Sequence, residues 1–349
     1  MRVYITSFVL ILGLVLVGSS FSVSSIIINT LELSKTETSD FYFVHISDTH
    51  VMNRQFDKYE KYKQNFVRVL EEIKNFKEKP AFIALTGDTV EWGGSGVTGA
   101  LNYQTLLNCL YQKEGMLYAD SSFKIPIYTT PGNHDYMWEN SLKNYENYLK
   151  SENKYVIDIG SISLFFVDSG SNYYLEPWDW LRVLGAGLFD KDIEWLEQQF
   201  SIHQSDKKIV FMHHPAVNLR DEKGIMVDVI ARNRENFIQL CENYNVELVL
   251  TGHTHSSVVY DSNENKYDSS PFNCSNYPTL FVQTDDCKQD VNYRNVTVSS
   301  SGDVVVHECI RIDFEPVYKN LTSNLIILKL KDILKDIFKT NFGYIYLKI

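Results

Sequence analysis

"TTPGNHDY" (residues 129–136) follows the apolar run "IPIY" and sets Pro131, Gly132 and Asn133 directly before His134 and Asp135. Pro fixes φ, Gly permits φ > 0 and Asn tolerates the left-handed region, so the stretch is a turn at the end of a strand. A turn explains the bend but not the His-Asp behind it. Placing Asn133 on a metal ion, with His134 beside it as a proton donor, explains both. That reading requires other strands to end in the missing ligands.

Working outward, short apolar runs rich in β-branched and aromatic residues recur. They are "FYFVHI" (41–46), "AFIAL" (81–85), "IPIYTT" (125–130), "ISLFFV" (162–167), "KIVFM" (208–212), "VELVL" (246–250) and "TLFVQT" (279–284). The runs are continuous rather than alternating, as expected of strands buried on both faces. Between them lie helical patterns. Phe66, Val69, Leu70, Ile73 and Phe76 fall on one face before Pro80, and "DKDIEWLEQQF" (190–200) and "RENFIQLCENY" (234–244) follow the same rule. Strands alternating with helices predict an α/β layered architecture.

The chemistry-bearing residues cluster where these strands end. "ISDTH" supplies Asp48 and His50, "LTGDTVE" supplies Asp88 behind Gly87, "FMHHP" supplies His213 and His214, and "LTGHTH" supplies His253 and His255. Side chains at the carboxyl ends of neighbouring strands converge on one crevice. In an extended chain the pairs Asp48-x-His50 and His253-x-His255 would each point the same way. Asp48, His50, Asp88, Asn133, His213, His253 and His255 form a set of imidazoles and oxygens without cysteine. Such donors suit zinc, manganese, iron or cobalt, and seven are too many for one ordinary ion. Two ions sharing a bridging carboxylate account for the number, as in two-metal hydrolases whose ions sit ~3.5–4 Å apart. His45, His203 and His307 are read as exposed residues without a special role.

Composition sets the outer limits. The chain has 349 residues, 44% hydrophobic and 22% charged, enough for one large domain or two small ones. A net charge of −11 disfavours nucleic acid as a standing partner, which needs a concentrated basic face. It leaves phosphorylated substrates open, because bound cations reverse the local field of an acidic site. "MRVYITSFVLILGLVLVGSSFSVSS" has one Arg, an apolar core from Phe8 to Val17 and small residues after it. It is read as a signal peptide over 1–24, or alternatively an N-terminal anchor, and either way the protein is expected to be exported. A polar linker over 25–40 follows. Five cysteines leave one over, and Cys274 with Cys287 is the expected disulfide.

The ordered set D-x-H, G-D, G-N-H-D, H and G-H-x-H resembles the calcineurin-like metallophosphoesterases, over residues of about 41–310. The resemblance implies a two-sheet β-sandwich flanked by helices on both sides. It implies one divalent ion on Asp48, His50, Asp88 and His255, and a second on Asp88, Asn133, His213 and His253. It makes His134 the catalytic histidine beside the leaving oxygen. The implied activity is hydrolysis of a phosphomonoester or phosphodiester by a hydroxide bridging the two ions, with His134 as general acid. By similarity to "GDxVD" of Ser/Thr protein phosphatases, Glu91 is the acid that keeps His134 protonated.

Two departures narrow the subclass. Trp92 stands where those protein phosphatases have a phosphate-gripping Arg, and Glu91 and His50 depart from the purple acid phosphatase pattern. A small-molecule or lipid-derived phosphoester is the expected substrate. A metallonuclease, or a non-catalytic scaffold of the same fold, is the alternative. The stretches 91–103 and 169–187 are read as Gly- and aromatic-rich loops walling the site, with Arg182 as a further phosphate contact. Beyond 310, Ile326, Leu330, Ile333, Leu334, Ile337 and Phe338 lie on one helical face within an extension over 311–349. That face is expected to pack on the domain, or else to touch a membrane surface.

Overall fold

Each apolar run read as a strand forms one. In chain order the strands are β1 (Phe41–Ser47), β2 (Ile83–Thr86), β3 (Ile127–Thr130), β4 (Lys154–Ile159), β5 (Ile162–Val167), β6 (Lys207–Phe211) and β7 (Val246–Thr251). After them come β8 (Val258–Asp261), β9 (Lys266–Tyr267), β10 (Phe272–Asn273), β11 (Leu280–Gln283), β12 (Val291–Val298) and β13 (Val304–Ile312). The structure is a computed structural model that describes residues 39–54, 56–111, 125–137, 141–170, 186–204, 207–218, 229–268 and 270–316. The N-terminal segment 1–24, most of the linker, Arg182 with most of its loop, and the amphipathic stretch 324–339 lie outside the described residues.

The strands divide into two sheets, ordered β10-β13-β12-β1-β2-β3 and β4-β5-β6-β7-β11-β8-β9. The runs β1-β2-β3, at one side of the first sheet, and β5-β6-β7-β11, at the centre of the second, are parallel, and the other pairs are antiparallel. Period-two alternation explains why the runs read as continuously apolar. In β1, Phe43 faces the other sheet while Val44 and Ile46 face a helical layer. In β6, Ile209 and Phe211 face the other sheet while Val210 and Met212 face outward. The inter-sheet layer is an aromatic stack. Phe166 and Phe211 lie parallel with centroids 4.5 Å apart, and Phe43 stacks on Phe82 at 4.6 Å.

Helices cover both outer faces. On the first sheet, α1 (Asp57–Asn75) buries Phe66, Val69, Leu70 and Ile73, the stripe its sequence periodicity predicts. Asp57 and Glu60 in its first turn and Lys74 in its last complement the helix dipole. It packs beside α2 (Val97–Tyr111), while α3 (Asn133–Tyr136) and α4 (Lys143–Leu149) are shorter. On the second sheet, α5 (Asp190–Ile202) and α6 (Arg234–Asn243) bury Leu196, Phe200, Phe237 and Cys241.

The fold corrects three sequence expectations. Residues 97–103 are the start of α2, hidden in the sequence because helix-weakening glycines cluster before and within its first turn. Cys274 lies in the inter-sheet core and Cys287 in the layer between the first sheet and its helices, so both remain buried free thiols. His45 is fully buried, because its place in β1 has the same parity as Phe43.

Candidate metal centre

The ligand-bearing turns sit side by side at the carboxyl ends of β1, β2, β3, β6 and β7. Main-chain bonds extend the ladders past the strands: Gly87 N–H donates to Thr130 (2.9 Å), His50 N–H to Asp88 (2.9 Å) and Gly252 N–H to His213 (3.0 Å). Asp48, His50, Asp88, His253 and His255 all have positive φ, from 44° to 68°. For non-glycine residues this left-handed backbone costs on the order of 1 kcal/mol each. The two D-x-H and H-x-H pairs are therefore not extended, as alternation would have them. Each ligand is turned inward by its own left-handed step. The chain also packs too closely for side chains between the ligands. A Cβ on Gly132 would fall 2.3 Å from Asp88 Oδ1, and one on Gly87, itself at φ 72°, would fall 2.3 Å from the His213 ring.

Both carboxylates are held by one oxygen and present the other. Asp48 Oδ2 accepts from Ser47 Oγ (2.7 Å) and His253 N–H (2.9 Å). Its Oδ1 lies 3.3 Å from His255 Nε2 and 3.7 Å from His50 Nε2. Asp88 Oδ1 accepts the His134 N–H (2.8 Å), while Oδ2 faces His213 Nε2 at 3.3 Å and His50 Nε2 at 3.4 Å. The imidazoles are oriented from behind in the same way. His50 Nδ1 meets Glu91 Oε2 at 2.7 Å and His213 Nδ1 meets the Thr86 carbonyl at 2.9 Å, which turns both Nε2 atoms toward the carboxylates.

These donors fit a pair of metal ions. Asp48 Oδ1 and His213 Nε2 are buried with no hydrogen-bond partner, although buried polar atoms are almost always paired. Asp48, Asp88 and His213, and Asp48, His50 and His255, each bring ligand atoms within 4.8 Å of one another. Nitrogen and oxygen donors without sulfur suit Mn, Zn, Fe or Co. Asn133, buried at the start of α3, hydrogen-bonds through Oδ1 to His214 Nε2 (3.1 Å), whose Nδ1 meets Ser169 Oγ (3.1 Å). His214, which also lies within ligand distance of His213 and His253, thus orients Asn133.

The field inside the cluster is divided. Burial alone would raise the Asp48 carboxyl, but the His213 charge and the nearby His255 and His50 imidazoles hold it well below the usual range. Asp88 behaves likewise, its burial outweighed by His213 and His134. Burial is also outweighed at His50, raised to about 9 by Asp48 and Glu91, and at His213, raised to about 9 by Asp88 and Asp48. Burial and the neighbouring His213 lower His253 to about 3.

Glu91 differs from its expected place. Its carboxylate is on His50, and only its main-chain carbonyl meets His134 Nδ1 (2.8 Å). The reason is geometric: Glu91 N–H bonds back to Val51 (3.2 Å), which aligns its side chain with the β1 turn. Burial lowers the His134 imidazole, against the opposing charge of Asp88. Asp135 is no ligand either. Thr89 Oγ1 (2.6 Å), Thr89 N–H (3.3 Å), Tyr103 Oη (2.8 Å) and Gly132 N–H (2.9 Å) all donate to its carboxylate. In "PGNHDY", Asp135 ties the turn to its neighbours, Asn133 faces the centre, and His134 stands with its ring 4.5 Å from that of His50.

The sequence reading missed Lys288, whose Nζ lies 3.2 Å from His50 Nε2. Its only signal was a lone cation in the acidic stretch "DDCKQD" after a strand. Trp92, at the place of the protein phosphatases' Arg, has the Arg54 guanidinium stacked on it at 4.6 Å.

Residues 41–257 match the calcineurin-like phosphoesterase family, and the chain belongs to that family. It is accordingly a hydrolase of phosphoester bonds, of the dinuclear metallophosphoesterase type. A similar protein is the "probable glycerophosphodiester phosphodiesterase GpdQ" of Arcobacter nitrofigilis, 29% identical over 61% of this chain and 71% of the relative. The glycerophosphodiester phosphodiesterase GpdQ of Enterobacter lignolyticus is 26% identical over 61% of this chain and 70% of its own. A dimetal phosphatase from Danio rerio shares the fold at 12% identity, with a TM-score of 0.53 over 79% of this chain and 99% of that one. PhoD shares it at 11% identity, with a TM-score of 0.50 over 88% and 79%.

Proposed function

We propose that the protein is an exported phosphodiesterase acting on a small phosphodiester of the glycerophosphodiester kind, with activity on phosphomonoesters at the same centre. The observation that carries this is the convergence of two tied carboxylates and unpartnered ligand atoms on one point, Asp48 Oδ1 and His213 Nε2 among them. The relatives named as glycerophosphodiester phosphodiesterases support the substrate class, and the apolar N-terminal stretch supports export.

Asp48, His50, Asp88 and His255 would hold one ion, and Asp88, Asn133, His213 and His253 the other. Bound there, the ions lower the pKa of water toward ~7 and neutralise phosphoryl oxygens. The chain's own residues do the rest. Asp88, whose Oδ2 faces both His50 and His213, would be shared between the two sites. Glu91 and the Thr86 carbonyl hold the His50 and His213 rings in the ligating orientation. His134 donates its Nδ1–H to the Glu91 carbonyl, which aims Nε2 at the substrate. In its imidazolium form, which the Asp88 charge favours against burial, it would pass the Nε2 proton to the departing alkoxide.

The test is hydrolysis by the purified protein, loaded in turn with Mn²⁺, Zn²⁺, Co²⁺ or Fe²⁺. The panel comprises glycerophosphodiesters, bis-nitrophenyl phosphate, nitrophenyl phosphate, nucleotides and cyclic nucleotides. Metal-dependent turnover of the glycerophosphodiesters is expected. Turnover confined to nucleotides or cyclic nucleotides would replace this substrate class.

A further inference from the structure

Lys288 lies in the loop after β11, and three hydrogen bonds to separate elements hold that loop. The adjacent Cys287 N–H donates to the Ser47 carbonyl of β1 (3.0 Å). Asn65 Nδ2 of α1 donates to the Lys288 carbonyl (2.9 Å), and Asn292 Nδ2 of β12 donates to the Asp286 carbonyl (2.8 Å). The stem is fixed and the amine is aimed. Nζ stands 3.2 Å from His50 Nε2, the nitrogen that faces both Asp48 and Asp88. Among the described residues, no carboxylate lies within ion-pair distance of it. In a chain of net charge −11, a half-buried ammonium without a paired carboxylate is poorly explained as a solvated surface group.

Among the described residues, two other nearby cations are engaged elsewhere. Arg54 covers the Trp92 ring. Lys58 Nζ lies over Tyr59 and Tyr62, at 5.3 and 5.6 Å from their centroids. Trp92 itself presents one N–H and makes no bidentate contact to phosphate. We propose that Lys288 is the specificity-determining cation of this centre. It contacts the non-bridging phosphoryl oxygens and sets how the site divides phosphomonoesters from phosphodiesters. This rests on the phosphoesterase reading above.

Metal ions on the His50 side would repel the ammonium, and its flexible four-carbon stem would let it turn toward a bound anion while the loop stays in place. An ammonium is a point charge with three donors, so its gain grows with the charge of the group it meets. A phosphomonoester carries about −1.5 to −2 at neutral pH, against a single negative charge on a diester. Lys288 therefore favours the monoester more than the diester.

The test uses the Mn²⁺-loaded full chain and its Lys288→Met and Lys288→Arg variants. Three quantities are read: ions per chain, inorganic phosphate affinity by calorimetry, and kcat/KM for nitrophenyl and bis-nitrophenyl phosphate. Lys288→Met should keep its ions and lose at least about tenfold in phosphate affinity and in monoester kcat/KM, as loss of a charged hydrogen bond implies. The diester should fall by a smaller factor, and Lys288→Arg should restore most of the phosphate affinity. Unchanged phosphate affinity, equal losses on both esters, or loss of the ions themselves would overturn the proposal. If the loaded wild type cleaves neither ester, the phosphoesterase reading fails, while the phosphate titration still decides for or against Lys288.

Discussion

The two sheets contribute unlike halves of the centre. From the ends of β1, β2 and β3 come Asp48, Asp88 and Asn133, oxygen donors, with His50 beside them. From β6 and β7 come His213, His253 and His255, all imidazoles. Neither half is complete alone. The Asp48 carboxylate of the first sheet is held by the main-chain N–H of His253 from the second, and His213 of the second by the Thr86 carbonyl of the first. Site assembly thus depends on sheet packing, and the oxygen half carries Asp88, the proposed bridge between the ions.

The largest effect should follow from breaking the oxygen half at its bridge. Asp88→Asn is expected to abolish turnover and lower the metal content of the purified protein. Two ions per chain with unchanged turnover would show that Asp88 bridges nothing. His134→Ala, from the turn after β3, should instead retain the ions and lose ~10²–10⁴ in kcat, the usual contribution of a positioned acid–base group. The loss should be smaller for a nitrophenolate leaving group, which needs no proton. Equal losses for nitrophenolate and alkoxide leaving groups would remove His134 as general acid.

Glu91→Gln sharpens the comparison, because its side chain serves His50 while its carbonyl serves His134. Metal affinity should weaken by ~10–100-fold, as for other residues that orient a metal-binding histidine. At saturating metal the pH profile of kcat should stay in place. A shifted profile with unchanged metal affinity would return the carboxylate to His134.

The smallest effect lies between the sheets. His45 hydrogen-bonds with Thr284 Oγ1 (2.7 Å) and Thr86 Oγ1 (2.8 Å), and burial together with the Arg294 charge lowers it to about 3. Its unfolded value is near 6.5, so the unfolded chain takes up a proton first as pH falls. The contribution of His45 to stability is therefore full above about pH 6.5 and is lost progressively toward pH 3. Denaturant melts at pH 7 and 5 should show that His45→Gln reduces the acid-induced loss by about 2 kcal/mol. An identical pH dependence in the variant would mean that His45 does not remain neutral in the fold.

His45 and His50 also show how far the sequence could be read. Both are fully buried imidazoles at the same strand end, and the D-x-H motif marked only His50. The candidate ligands were legible because each motif couples a turn-forming residue to a donor, a local pattern that needs no tertiary knowledge. The buried strands were legible because both faces are covered, which leaves no polar alternation. Alternating or Gly-interrupted elements such as β12 and α2 gave weaker local signals.

By itself the sequence determined the candidate donors, their order, and the strand ends that carry them, since these follow from side-chain chemistry and backbone preference. Only the tertiary structure decided that Glu91 turns to His50, that the ligands take left-handed backbone, and that Cys274 and Cys287 lie in different layers. It also decided that Lys288 reaches the centre. These depend on which turns lie side by side once two sheets pack, and residues as far apart as His50 and Lys288 carry no record of that meeting in their spacing.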